Sequence, residues 1–151
     1  MTWARGRETI DQLLVDGKLE FITGAAADGS TWLSSASALL ESATRECSSN
    51  PEAAYLLAYD AARKAATALV VQQGMRSKSA GHHLTVEQVV RAQFGGPFTA
   101  FSVLRRRRIE IEYPQRPGDD ISEAEAQEAI ELSALIVAAS VELAPRLTLY
   151  R

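Results

Sequence analysis

Four consecutive arginines, Arg105, Arg106, Arg107 and Arg108, are the residues of this chain best suited to chemistry. A guanidinium is planar, stays charged at every reachable pH, and takes a carboxylate or a phosphate through two parallel hydrogen bonds. Four such cations on one helical turn repel one another and need anionic relief. Within residues 98–114 an apolar stripe runs Phe98, Phe101, Leu104 and Ile111, at helical steps of three, three and seven. Arg108 falls on that stripe, one turn past Leu104. A charge on the core side of a helix is costly unless paired, so Arg108 is expected to meet a carboxylate, a partner chain or an anionic ligand. One source of relief is internal: Glu110, Glu112, Asp60 and the acidic final segment with Glu123, Glu125, Glu128 and Glu131. For Arg107 and Arg108, nearest the core side, the pattern favours a functional or interface role. Arg105 adds a further binding cation.

Asp60 is expected to pair with Arg107 or Arg108; a pair with Lys64 one helical turn away is the alternative and is compatible with it. His82 and His83 are the only histidines, and adjacent loop residues rarely face one ion. No Cys or carboxylate stands at ligand spacing from them, so neither a metal nor another cofactor is expected, and a capping or packing role fits better. The sequence carries no phosphate-cradling glycine loop and no serine in a nucleophile-elbow context. Tyr55, Tyr59, Trp3 and Trp32 read as core or interface residues.

The elements that must position these residues are helical. Residues 2–15 form a first helix with Trp3, Ile10, Leu13 and Leu14 apolar; residues 18–27 are ambiguous. Ser30 or Thr31 caps a helix to about Cys47, with Trp32, Leu33, Ala36, Leu39, Leu40 and Ala43 in period. The strongest signal follows. Asn50 is the N-cap, Pro51 suits the first helical position, and Gly74 closes the helix in a left-handed conformation. Its wide alanine-rich face (Ala54, Leu57, Ala58, Ala61, Ala62, Ala65, Ala68, Leu69) lets a neighbouring backbone approach, opposite a polar strip of Asp60, Arg63, Lys64 and Thr67. Residues 75–84 read as a loop. Thr85 with Gln88 reads as a capping box for a short helix over residues 86–94, and Gly95-Gly96-Pro97 leads into the arginine helix. Ser122 with Glu125 opens a last helix to about Leu143, carrying Ile130, Leu132, Leu135, Ile136, Ala139 and Val141. The sum is an all-α, up-and-down bundle of about four long helices with short pieces beside them, one domain over residues 1–151.

The totals agree. The chain is 46% hydrophobic and 23% charged, which excludes disordered, collagen-like and disulfide-stapled classes. With 151 residues it can bury a core. Its net charge of -3 means that any contact with nucleic acid must be local. A single Cys47 rules out an intramolecular disulfide and suits a reducing cytoplasm. Met1 is followed by Trp3, Arg5 and Arg7 without an apolar run, so no signal peptide is expected. No stretch of about twenty apolar residues suggests a membrane span.

The segment AYDAARKAATALV, followed by a GHH loop and then RRRRIEIEYP on a later helix, resembles the HEPN superfamily, in particular small stand-alone actinobacterial HEPN proteins. The resemblance covers residues 49–144, with the N-terminal helix and connection of residues 1–27 outside it. It implies a cytoplasmic helical homodimer, with metal-independent RNA cleavage among many members and toxin–antitoxin or defence settings. An antitoxin or a nucleotidyltransferase would be the protein partner. The family motif, an Arg with a His four to six residues on, maps its Arg to Arg107 or Arg108 and its His position to Glu112 or Tyr113. No His stands in the segment, and neither Glu112 nor Tyr113 replaces a neutral-pH acid/base readily. His82 or His83 would supply a base only if their loop folds over the arginine helix. The expectation is therefore an RNA- or nucleotide-binding protein with an arginine pocket buttressed by Asp60 and with catalysis weakened or absent. The alternatives are an active ribonuclease and a non-catalytic dimeric interaction module.

Overall fold

In a computed structural model the described residues are 3–78 and 82–150, the side chains of His82 and His83 excepted. The expectations placed on those two side chains lie outside the described residues. The all-α architecture is present. Helices α1 (Arg7–Val15), α2 (Ser30–Glu46), α3 (Pro51–Gln72), α4 (His82–Phe94), α5 (Phe101–Glu112) and α6 (Glu123–Leu143) are joined by short connections. The centre is α3, packed along α2 on one side and α6 on the other, with α4 and α5 against its remaining face. None of the described helices is long and apolar enough to cross a membrane.

The physics of α3 is legible residue by residue. Asn50 is its N-cap, the Oδ1 accepting from the backbone N–H of Ala53 at 3.2 Å, with Pro51 in the first turn. Gly74 follows with φ 76°, the left-handed conformation that ends the helix. The alanines at 54, 58, 61, 62, 65, 66 and 68 are fully buried, and their small size is what admits two long helices to close range. Gly29 serves the same purpose at the start of α2: a Cβ there would lie 2.5 Å from the carbonyl oxygen of Ala68.

Several boundaries differ from the sequence reading, each for a local reason. The first helix begins at Arg7, because Gly6 takes φ 79° and a side chain there would strike the backbone of Ala92 and Gln93. Trp3 therefore leaves the helix and stacks edge-on against Phe94 at 4.9 Å, its indole N–H donating to the Gln93 carbonyl at 2.9 Å. Helix α2 is capped by neither Ser30 nor Thr31. Gly29 is the N-cap, and Asp28 Oδ1 accepts from the Ser30 N–H at 2.9 Å. The ambiguous stretch and the expected loop each contribute a strand, β1 (Leu19–Phe21) and β2 (Met75–Ser77), paired antiparallel with Glu20 opposite Arg76. Helix α4 starts at His82, so Thr85 lies inside it, buried, and is not the N-cap of the anticipated box. At α6 the box is half made: Ser122 Oγ accepts from the Glu125 N–H at 3.1 Å, but the Glu125 carboxylate is committed elsewhere. Phe98 belongs to a 3-10 turn over Gly96–Ala100, which leaves α5 twelve residues long.

Candidate functional site: the arginine helix against Tyr55 and Tyr59

Phe98, Phe101 and Leu104 are buried as their spacing requires and fasten the first part of α5 to the core. Phe101 meets Tyr59 of α3 edge-on at 5.8 Å, and Tyr55 donates its hydroxyl to the Leu104 carbonyl at 3.1 Å. This clamp fixes the helix rotation and therefore the direction of each arginine.

Arg105 turns toward α4. Its Nε donates to Glu87 Oε2 at 2.6 Å, and Glu87 is almost fully buried, with Arg91 also at 3.4 Å. Arg106 points outward and makes a hydrogen bond at 3.4 Å to the Ser102 carbonyl one turn back. Arg107 is enclosed by carboxylates. Nε and Nη2 donate to the two oxygens of Glu125 at 2.6 and 3.3 Å, while Nη1 donates to Glu110 at 3.0 Å and to Asp119 at 3.2 Å. Its hold on the proton is strengthened above that of an ordinary arginine, chiefly by the Glu125 hydrogen bond. Arg108 sits with its guanidinium carbon 5.2 Å from the centre of the Tyr59 ring, a cation–π distance. Glu112 accepts from it at 3.2 Å, yet the Arg108 Nε is buried with no hydrogen-bond partner among the described residues.

The tyrosines beneath are a neutral floor. Burial pushes Tyr59 up to about 12, with Arg108 pulling the other way and Glu87 adding to the rise. Burial likewise raises Tyr55, with the Glu125 charge assisting. Neither phenol is available as a base at neutral pH.

The anticipated site residues are only partly brought together. Asp60 does not buttress Arg107 or Arg108; it lies 3.5 Å from Arg63 on its own helix. Lys64 reaches across to α2 and donates to Ser35 Oγ at 2.8 Å, so it is not the partner of Asp60 either. Glu112 is Arg108's partner one turn on, and Tyr113 stands at the end of α5 with 68% of its surface exposed. The internal relief of the arginines does include Glu110, Glu112 and Glu125, but Glu87 and Asp119 take the places given to Asp60 and the other α6 acids. Glu87 had a signal in the sequence, since it shares a stripe with Val90 and Phe94 at steps of three and four. Asp119 had none, because a loop residue's direction is set by the fold. Among the described residues no cluster of His, Cys, Asp and Glu is arranged to hold a metal ion.

No family model, no curated protein and no solved structure matches this chain.

Proposed function

We propose that the chain is a non-catalytic, HEPN-like helical protein that binds the phosphate of an RNA or nucleotide at Arg108, in a toxin–antitoxin or defence setting. One observation carries this reading. The Arg108 Nε is a buried charged donor with no hydrogen-bond partner among the described residues, while 23% of its side chain remains exposed. An unmet donor of this kind costs about 1–3 kcal/mol, and an anionic oxygen relieves it once the partly exposed side chain turns outward to meet it. Arg106, exposed beside it, adds a second cation to an approaching strand. Arg105 and Arg107 are poorer candidates, because a phosphate would have to displace the buried Glu87 or the three carboxylates around Arg107, whereas at Arg108 it displaces only Glu112, which is 38% exposed. Cleavage is not part of the proposal: Glu112 is engaged by Arg108, and the Tyr59 phenol is neutral at physiological pH. The test is fluorescence anisotropy with labelled short RNAs and, separately, with a labelled nucleotide, at low salt and with magnesium chelated. Arg108→Ala should abolish binding while Arg107→Ala spares it in the folded fraction; binding indifferent to Arg108 removes the proposal.

A second reading rests on a separate observation. Val103 and Ile109 on α5 and Tyr113 just past its end are 54%, 45% and 68% exposed, and Arg106 lies on the same side of the helix. Aromatic, aliphatic and arginine side chains together are the composition of interface centres. We propose that a second copy of the chain covers this face, and that an antitoxin or nucleotidyltransferase partner would compete for it. Sedimentation of the wild type and of Ile109→Glu decides the point: a dimer that the substitution splits supports it, and a wild-type monomer at all concentrations ends it.

A further inference from the structure

We infer that a groove between α2, α3, β2 and the start of α4 binds a small organic carboxylate with a flat apolar body. The groove encloses about 360 Å³, within the span of small-ligand sites. Its walls are mainly apolar, with Trp32, Ile22, Val70 and Val86 contributing. Arg63 and Ser77 are among its lining residues, and Arg63 Nε and Ser77 Oγ are each buried with no hydrogen-bond partner among the described residues. A native interior rarely leaves one such group unmet, and here two belong to residues that line one groove, where a modest turn of each side chain would present them to a ligand. The ion-pair contact of Arg63 Nε with Asp60 Oδ1 is loose, at 3.5 Å. Arg76, also on the groove, is already held by Glu20 and is mostly exposed.

The ligand class follows from matching donors to acceptors. One charged N–H and one hydroxyl suit the two oxygens of a single carboxylate, which carries one charge. A phosphate brings three oxygens and up to two charges, and in walls this apolar the surplus would be buried unmet. The half-buried Trp32 ring offers a face against which a flat apolar body packs. Arg108 is not among the lining residues, so this site and the proposed phosphate site fail or stand independently.

The experiment is titration calorimetry of the full chain with hydrocinnamate, its neutral amide and phenyl phosphate. Hydrocinnamate should bind saturably at one site, with the amide and phenyl phosphate about tenfold or more weaker, as expected for loss of a charge-assisted pair. Arg63→Gln should weaken hydrocinnamate by a similar factor, Ser77→Ala by several-fold, and Arg108→Ala not at all. Circular dichroism melts establish that each variant is folded; should Arg63→Gln fail to fold, Ser77→Ala and Trp32→Ala carry the same test. Absence of hydrocinnamate binding, equal binding of the amide, tighter phenyl phosphate, or indifference to both groove polar residues each overturns the inference.

Discussion

Glu87 of α4 and Arg105 of α5 form a buried ion pair, with Nε to Oε2 at 2.6 Å and the carboxylate side chain only 1% exposed. Two helices consecutive in sequence are thus tied by a bond whose acceptor has no access to water. Arg91, on the same helix as Glu87, shares the carboxylate at 3.4 Å. A buried charge of this kind makes the fold intolerant of losing one partner, whatever the pair contributes as a whole.

Arg105→Ala, which leaves the buried Glu87 carboxylate only its 3.4 Å contact with Arg91, should therefore destabilise the fold by about 3–5 kcal/mol, the typical cost of breaking a buried pair on one side. For a chain of this size that is a fall in Tm of roughly 10 °C. Thermal denaturation followed by circular dichroism measures it. A change within error of zero would mean that water or a rearranged Arg91 replaces the lost guanidinium.

Arg107 and Arg108 should separate stability from binding. Arg107→Ala strands Glu125, Glu110 and Asp119 around an empty position and is expected to cost about 1–3 kcal/mol. Arg108→Ala removes a partly exposed side chain with one carboxylate partner and is expected to cost about 1 kcal/mol or less, while removing RNA or nucleotide binding. Paired denaturant melts and anisotropy titrations read both effects. If the two variants exchange these roles, the assignment of the phosphate to Arg108 is wrong.

Stability should decline at alkaline pH. A tyrosine ordinarily ionises near pH ~10, but burial raises Tyr59 and Tyr150 to about 12, with a hydrogen bond to Asp11 adding to the Tyr150 shift. Between those limits the folded chain keeps protons that the unfolded chain has released. This contribution is fully present below pH ~10 and is lost as the pH climbs toward 12. Phenolate absorbance during an alkaline titration checks it: the buried tyrosines should ionise only near 12 or on unfolding. Ordinary midpoints in a chain still folded by circular dichroism would refute the burial argument.

Gly6→Ala should shift the N-terminal segment. A Cβ at Gly6 would lie 2.8 Å from the Ala92 carbonyl carbon, and φ 79° is itself unfavourable for alanine. The expected cost is about 1–2 kcal/mol. Loss of the Trp3 fluorescence signature of packing on Phe94 should accompany it. Retention of both stability and spectrum would show that α1 can start elsewhere without penalty.

Much of the fold was readable in advance because its signals are local. The Asn50 cap, Pro51, the alanine face and Gly74 specify α3 through contacts within a few residues, and each is found where its chemistry places it. The buried stripe of Phe98, Phe101 and Leu104 follows from period alone. The paired strands were not readable, since β1 and β2 are three residues each and pair with one another across more than fifty positions.

The same division runs through the site. The sequence by itself determined that a charge, Arg108, would fall on the apolar side of its helix, and that the four arginines would need carboxylates. Which carboxylates was decided only by tertiary structure. Glu87 and Asp119 were chosen over Asp60 because an ion pair is a matter of a few ångströms, and those distances are set by helix rotation and loop path. The clamp of Tyr55 and Phe101 fixes that rotation, and it sends Arg105 and Arg107 to waiting acids while leaving the Nε of Arg108 unmet among the described residues. Charge and period are properties of the chain; partnership is a property of the packed molecule.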